Sequence, residues 1–142
     1  MYLINILADT TFNWTWIMMA GAIGLLLALL IMNRNKWDKE KLAMLDVKDF
    51  VEMMRKGSLI DTRKEEEIAA TGKIIGSRNF PGKTGASEAK VRKDLPIFLY
   101  DQNGSTSKMK SIGAKYIKNG AVMVYILKGG YQSFLEYKEK NS

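Results

Sequence analysis

Neither cysteine nor histidine occurs anywhere in the chain, which excludes thiol nucleophiles, disulfides, imidazole general bases and zinc sites of the usual kind. Chemistry must come from carboxylates, lysines, hydroxyls or the backbone. One segment stands where such groups could act. Residues 101–106 (DQNGST) follow the apolar run IFLY at 97–100 and precede a helical pattern. In open α/β sheets, ligands bind beyond the carboxyl end of a central strand, at the start of the next helix. Carboxylates can be nucleophiles in phosphoryl transfer, but such sites usually add Mg²⁺ ligands, and no second acidic residue stands beside Asp101 in the loop. Aspartate also commonly ends a strand and opens a turn. No resident metal or cofactor is expected.

The elements that must position this loop can be read from apolar runs and breakers. Asp46 and the pattern Val47, Phe50, Val51, Met54 predict a capped helix, closed by Gly57 at the C′ position. SLIDT at 58–62 reads as a short buried strand. EEEIAAT at 65–71 reads as an acid-led helix ended by Gly72, and GKIIGSRNFP leads to a second strand near 77–79, stopped by Pro81. A loose helix is expected around 87–93. IFLY at 97–100 has the character of a strand buried on both faces. A helix over 107–119, a strand over 121–127 and a last helix over 131–138 complete the chain. Gly129 and Gly130 most simply let the chain turn into that helix. The alternation predicts an α/β fold, an open and mainly parallel sheet with helices on both faces.

Ahead of this domain, residues 14–32 run 19 positions without a charge, roughly 28 Å as a helix and enough for the hydrocarbon core of a bilayer. The 13 residues before the run carry Asp9 and no basic residue, unlike a signal peptide. All 22 basic residues follow it, with Arg34, Lys36, Lys39 and Lys41 nearest. The expectation is a single-pass cell-membrane helix with residues 1–13 outside, a basic linker at 33–41 and a cytoplasmic domain at 42–142. Trp14, Trp16 and Trp37 would sit at the two interfaces. After residue 32 there are 22 basic residues against 14 acidic, a net charge of +8, which favours closeness to anionic lipid. The basic residues are spread along the chain without aromatic interleaving, so no nucleic-acid partner is expected.

Four motifs, in order, resemble the rhodanese-like (sulfurtransferase) family over about residues 42–138. They are LIDTR at 59–63 with Glu67 four residues on, GKIIGSRNFP at 72–81, FLYDQNGSTS at 98–107 and VYILKGGYQSF at 124–134. The resemblance implies a rhodanese-like fold. In active members the loop opens with a catalytic cysteine that carries a persulfide, and loop N–H groups converge on its sulfur. The matching positions here are Asp101, Gln102, Asn103, Gly104, Ser105 and Thr106, with Asp101 in the cysteine's place. The resemblance further implies that Asp61 and Arg63 help to hold the loop; a buried ion pair is the default reading of such residues. Gln102 replaces a common basic residue, and Lys73 stands at the family's histidine.

A carboxylate has no sulfur-carrier chemistry comparable to that of a thiolate. At a helix N-terminus it can accept N–H bonds and complement the helix dipole. Asp101 is therefore either the resident anion of the old cradle or simply a strand-end aspartate. The expectation is a catalytically inactive module that binds a protein partner or small anion. The alternatives are an enzyme that uses Asp101 and a domain whose thiol a partner supplies.

Overall fold

The computed structural model describes residues 2–142, with side chains described at 14–33 and 40–142. The chain divides into Met1–Trp37 and Asp38–Ser142. The described residues of the first unit, 2–37, belong to helix α1 (Tyr2–Glu40). Within it, Trp14–Asn33 is long and apolar enough to cross a membrane by length and composition. The helix does not end at residue 32. It continues through 33–40, where a linker was expected, because NRNKWDKE contains neither glycine nor proline to stop it. The side chains of Asp9, Arg34, Lys36, Trp37 and Lys39, named above for topology and interfaces, lie outside the described residues.

In the second unit the order is β1 (Leu42–Leu45), α2 (Val47–Met53) with a 3-10 turn at Met54–Lys56, β2 (Ser58–Asp61) and α3 (Glu65–Thr71). There follow β3 (Arg78–Asn79), α4 (Gly82–Glu88), β4 (Ile97–Tyr100), α5 (Thr106–Lys118), β5 (Val124–Leu127) and α6 (Gly130–Lys140). The sheet order is β1-β5-β4-β2-β3, and every pair is parallel. From β2 the chain steps outward to β3, then returns to the other side of β2 to lay down β4 and β5. The strand order therefore reverses between β2 and β4, whose ends are level, Asp61 pairing with Tyr100. That is where such sheets place their sites.

Alternation along the strands builds two apolar layers. Ile97 and Leu99 of β4 and Val124 and Ile126 of β5 pack with Met109, Ile112 and Tyr116 of α5 and Ala86 of α4. Phe98, Tyr100 and Leu127 point the other way, toward Phe50 of α2 and Tyr131 of α6. The continuous apolar run at 97–100 is thus explained by burial on both faces.

Four local expectations are corrected. β1 was not anticipated as a strand. The helix expected around 87–93 lies at Gly82–Glu88, where Gly85 and Ala86 bury against the core. Asp46 stands at the start of α2 but its side chain caps nothing; its carboxylate lies 3.7 Å from Lys128 Nζ. Gly57 is extended and not left-handed. A side chain there would collide with the backbone of Pro96 and the ring of Phe98, so close packing demands the glycine.

Tyr116 is buried on the inner face of α5, and its hydroxyl is the buried side-chain polar atom that lacks a hydrogen-bond partner among the described residues. Burial pushes it up to about 12, against the opposing pull of the Arg78 charge. Burial also raises Tyr100, outweighing the hydrogen bonds it makes with Ser77 and the Ile74 N–H. An unfolded tyrosine ionises near pH ~10. A raised folded value gives stability that is complete below that pH and is lost as the pH rises toward the folded value. Tyr116→Phe removes an unpaired hydroxyl and is expected to stabilise the domain by about 1 kcal/mol. It should also lessen the fall in stability between about pH 10 and 12. Thermal unfolding followed by near-ultraviolet circular dichroism at neutral and alkaline pH measures both; a less stable variant at neutral pH would contradict the reading.

Candidate functional site

The loop after β4 turns back on its own first residue. Asp101 is 6% exposed. One carboxylate oxygen accepts the Gly104 N–H at 2.6 Å and the other accepts the Ser105 N–H at 3.2 Å. Gly104 adopts a φ of 75°, a left-handed conformation that glycine takes without penalty. Ser105 then leads into α5, whose positive dipole end adjoins the carboxylate. Asp101 thus faces loop amides at a helix start, where a negative group is favoured.

Beneath the loop lies a buried ion pair. Asp61 ends β2, and Arg63 follows two residues later, 2% exposed. The guanidinium donates to both Asp61 oxygens, Nη2 to Oδ2 at 2.7 Å and Nε to Oδ1 at 3.0 Å and Oδ2 at 3.2 Å. Its remaining donors reach Thr71 Oγ1 at 2.8 Å, the Gly72 carbonyl at 2.7 Å and Gln102 Oε1 at 2.9 Å. The Tyr131 ring lies against its face, 4.2 Å from the guanidinium carbon. Burial acts to lower the arginine, but the hydrogen bond and charge of Asp61 outweigh it and hold the value above the ordinary one. Arg63 is therefore a permanent cation, used in full, that joins β2, the end of α3 and the loop.

Among the loop residues, Gln102 is tied to Arg63, whereas Asn103, Ser105 and Thr106 are exposed. Lys73 is exposed as well, its ammonium making a long 3.4 Å bond to the Ser77 carbonyl. Several residues that hold the site were not singled out from sequence. Thr62 Oγ1 donates to the Tyr100 carbonyl at 3.0 Å, linking the ends of β2 and β4. Asn79 donates to the carbonyls of Asp61 and Arg63. The α6 side closes in through the N–H of Tyr131, which donates to the Asp101 carbonyl at 2.7 Å. Each lies within one of the four motifs, Thr62 in LIDTR, Asn79 in GKIIGSRNFP and Tyr131 in VYILKGGYQSF, but none carries a charge that would have marked it out. Among the described residues no group of three or more metal-binding side chains is brought together.

Residues 46–137 match a family model described as a rhodanese-like domain. An uncharacterized protein of Bacillus subtilis (strain 168), YqhL, is 36% identical over 81 residues, covering 56% of this chain and 62% of that relative. The chain thus matches less than two thirds of that relative's length. Two solved structures share the fold, each with a TM-score of 0.57. The reduced Bacillus anthracis CoADR-RHD is 20% identical, with 72% of this chain and 18% of that chain covered. The polysulfide-sulfur transferase homodimer of Wolinella succinogenes is 19% identical, with coverage of 78% and 85%. At such identities the likeness is one of fold. The family match, which takes in most of the chain, agrees with the parallel sheet and with a loop seated at its reversal point, and the chain belongs to the rhodanese-like domain family.

Proposed function

We propose that this is a rhodanese-like domain without sulfur-transfer activity of its own, a binding module anchored by its apolar helix to the cytoplasmic face of a membrane. The observation that carries the reading is the Asp101 carboxylate, which accepts the N–H groups of Gly104 and Ser105. In the family's active members a cysteine sulfur occupies the head of this loop. Here a fixed anion fills that role, and the chain contains no thiol to replace it. The carboxylate can shape the loop and balance the helix dipole, but cannot accept and pass on a sulfane sulfur. The loop then serves recognition of a protein partner or a small anion, with no resident cofactor.

The purified chain, assayed with thiosulfate and cyanide, is expected to form no thiocyanate above background; turnover would overturn the proposal. Asp101→Cys supplies the complementary test. The new thiol would stand at a helix start, an environment that favours the thiolate. Attack on the outer sulfur of thiosulfate, with sulfite leaving, should produce a persulfide detectable by mass spectrometry. A folded variant that gains no sulfur would show that the loop no longer has cradle geometry.

A further inference from the structure

On the face of the sheet covered by α2 and α6 there is a half-open groove of about 720 Å³. It is separate from the Asp101 carboxylate and is lined by neither Asp101 nor its donors. Met54, Phe134 and Leu135 form apolar walls, and Ile75 stands on the rim with 90% of its surface exposed. Arg55, Lys73 and Lys138 also line the groove, and no acidic side chain does. Among the described residues, none of these three cations belongs to an ion pair.

Apolar walls with three cations that enter no ion pair among the described residues constitute a chemical specification. The volume falls in the range of small-molecule pockets, which are mostly apolar with a few polar groups that orient the ligand. It is small for a docked helix or folded partner. The walls select hydrocarbon, and the cations select a negative head at one end of it, since a carboxylate binds ammonium and guanidinium groups through charge-assisted hydrogen bonds. We propose that the groove binds a single-chain anionic amphiphile, a long-chain carboxylic acid, with its tail along Met54, Phe134 and Leu135 and its carboxylate among Arg55, Lys73 and Lys138. Such a ligand is available to any domain that works beside a bilayer. The site stands independently of whether the Asp101 loop transfers sulfur.

The test uses the full chain in nanodiscs of phosphatidylcholine and a long-chain carboxylic acid with a photoreactive diazirine near its tail. After irradiation, peptide mapping should place the label on segments containing Met54, Phe134 or Leu135. Excess dodecanoate should compete it away, whereas dodecanol should not. The exposed double substitution Arg55→Glu, Lys138→Glu is expected to lower labelling about tenfold or more, with circular dichroism unchanged. A second variant, Leu135→Glu, places charge in the wall at an already exposed position and should have the same effect. Labelling confined to residues 14–33 would overturn the proposal. Equal competition by dodecanol would reduce the groove to an apolar surface and also overturn it, as would competition by an acidic amphipathic peptide but not by dodecanoate.

Discussion

Arg63→Met is expected to destabilise the domain by about 3–5 kcal/mol, the usual cost of removing one partner from a buried ion pair. Asp61 is fully buried and would keep only the Arg63 backbone N–H, at 2.9 Å, among the contacts that now satisfy its side chain. The substitution also deletes the bonds to Thr71, Gly72 and Gln102 and the packing on Tyr131. The loop would lose its tether to β2. Adding Asp61→Asn to the same chain removes the stranded charge and should recover a substantial part of the loss, because desolvating the intact pair is itself costly. Urea unfolding of the wild type, the single variant and the double variant gives the comparison. A single variant within about 1 kcal/mol of wild type, as at an exposed ion pair, would mean that the pair does not hold the site together.

Gly130→Ala should be comparably damaging for a different reason. Gly130 has a φ of 64°, where a side chain costs about 1–2 kcal/mol. A Cβ there would also stand 2.6 Å from the Asp101 carbonyl oxygen, 2.7 Å from the Gly104 nitrogen and 2.8 Å from the Gln102 carbonyl carbon. All three are backbone atoms that no rotamer change can move aside, so overpacking adds about 1–3 kcal/mol. The expected sum is about 2–5 kcal/mol. Gly76→Ala is the control. Gly76 also has positive φ, at 88°, but a Cβ there meets nothing within 4 Å, so only the conformational part should appear. Equal losses in the two variants would show that the contact between α6 and the loop is not tight.

The parts of this fold that sequence made legible are those with local causes. The four apolar residues at 97–100 read as a strand covered on both faces, and three leading glutamates with Gly72 behind them marked the limits of α3. β1 escaped because LAML is a short half-buried segment whose character comes from pairing with β5, far along the chain. α4 was displaced because its first turn holds two glycines, poor helix formers, and its position is set by packing against α5. The same distinction applies at the loop. Its place and its first residue could be read from the chain, but the grip of Arg63 on Gln102 and the pressure of Gly130 on the loop backbone bring together residues 39 apart and from different elements. Gly130 looked like a hinge into a helix; in the fold it is also the surface against which the loop is moulded.

The pairing of β1 with β5 has a consequence for the birth of the molecule. Leu42, just after α1, bonds in register with Val124, which the ribosome makes some 80 residues later, on the order of ten seconds at ordinary synthesis rates. Through that interval the apolar helix has already emerged, while the strand next to it has no partner. The sheet cannot close from its first strand outward. It must wait for the last strand, and until then β1, next in sequence to an apolar helix, offers an unpaired edge of the kind that invites wrong pairing.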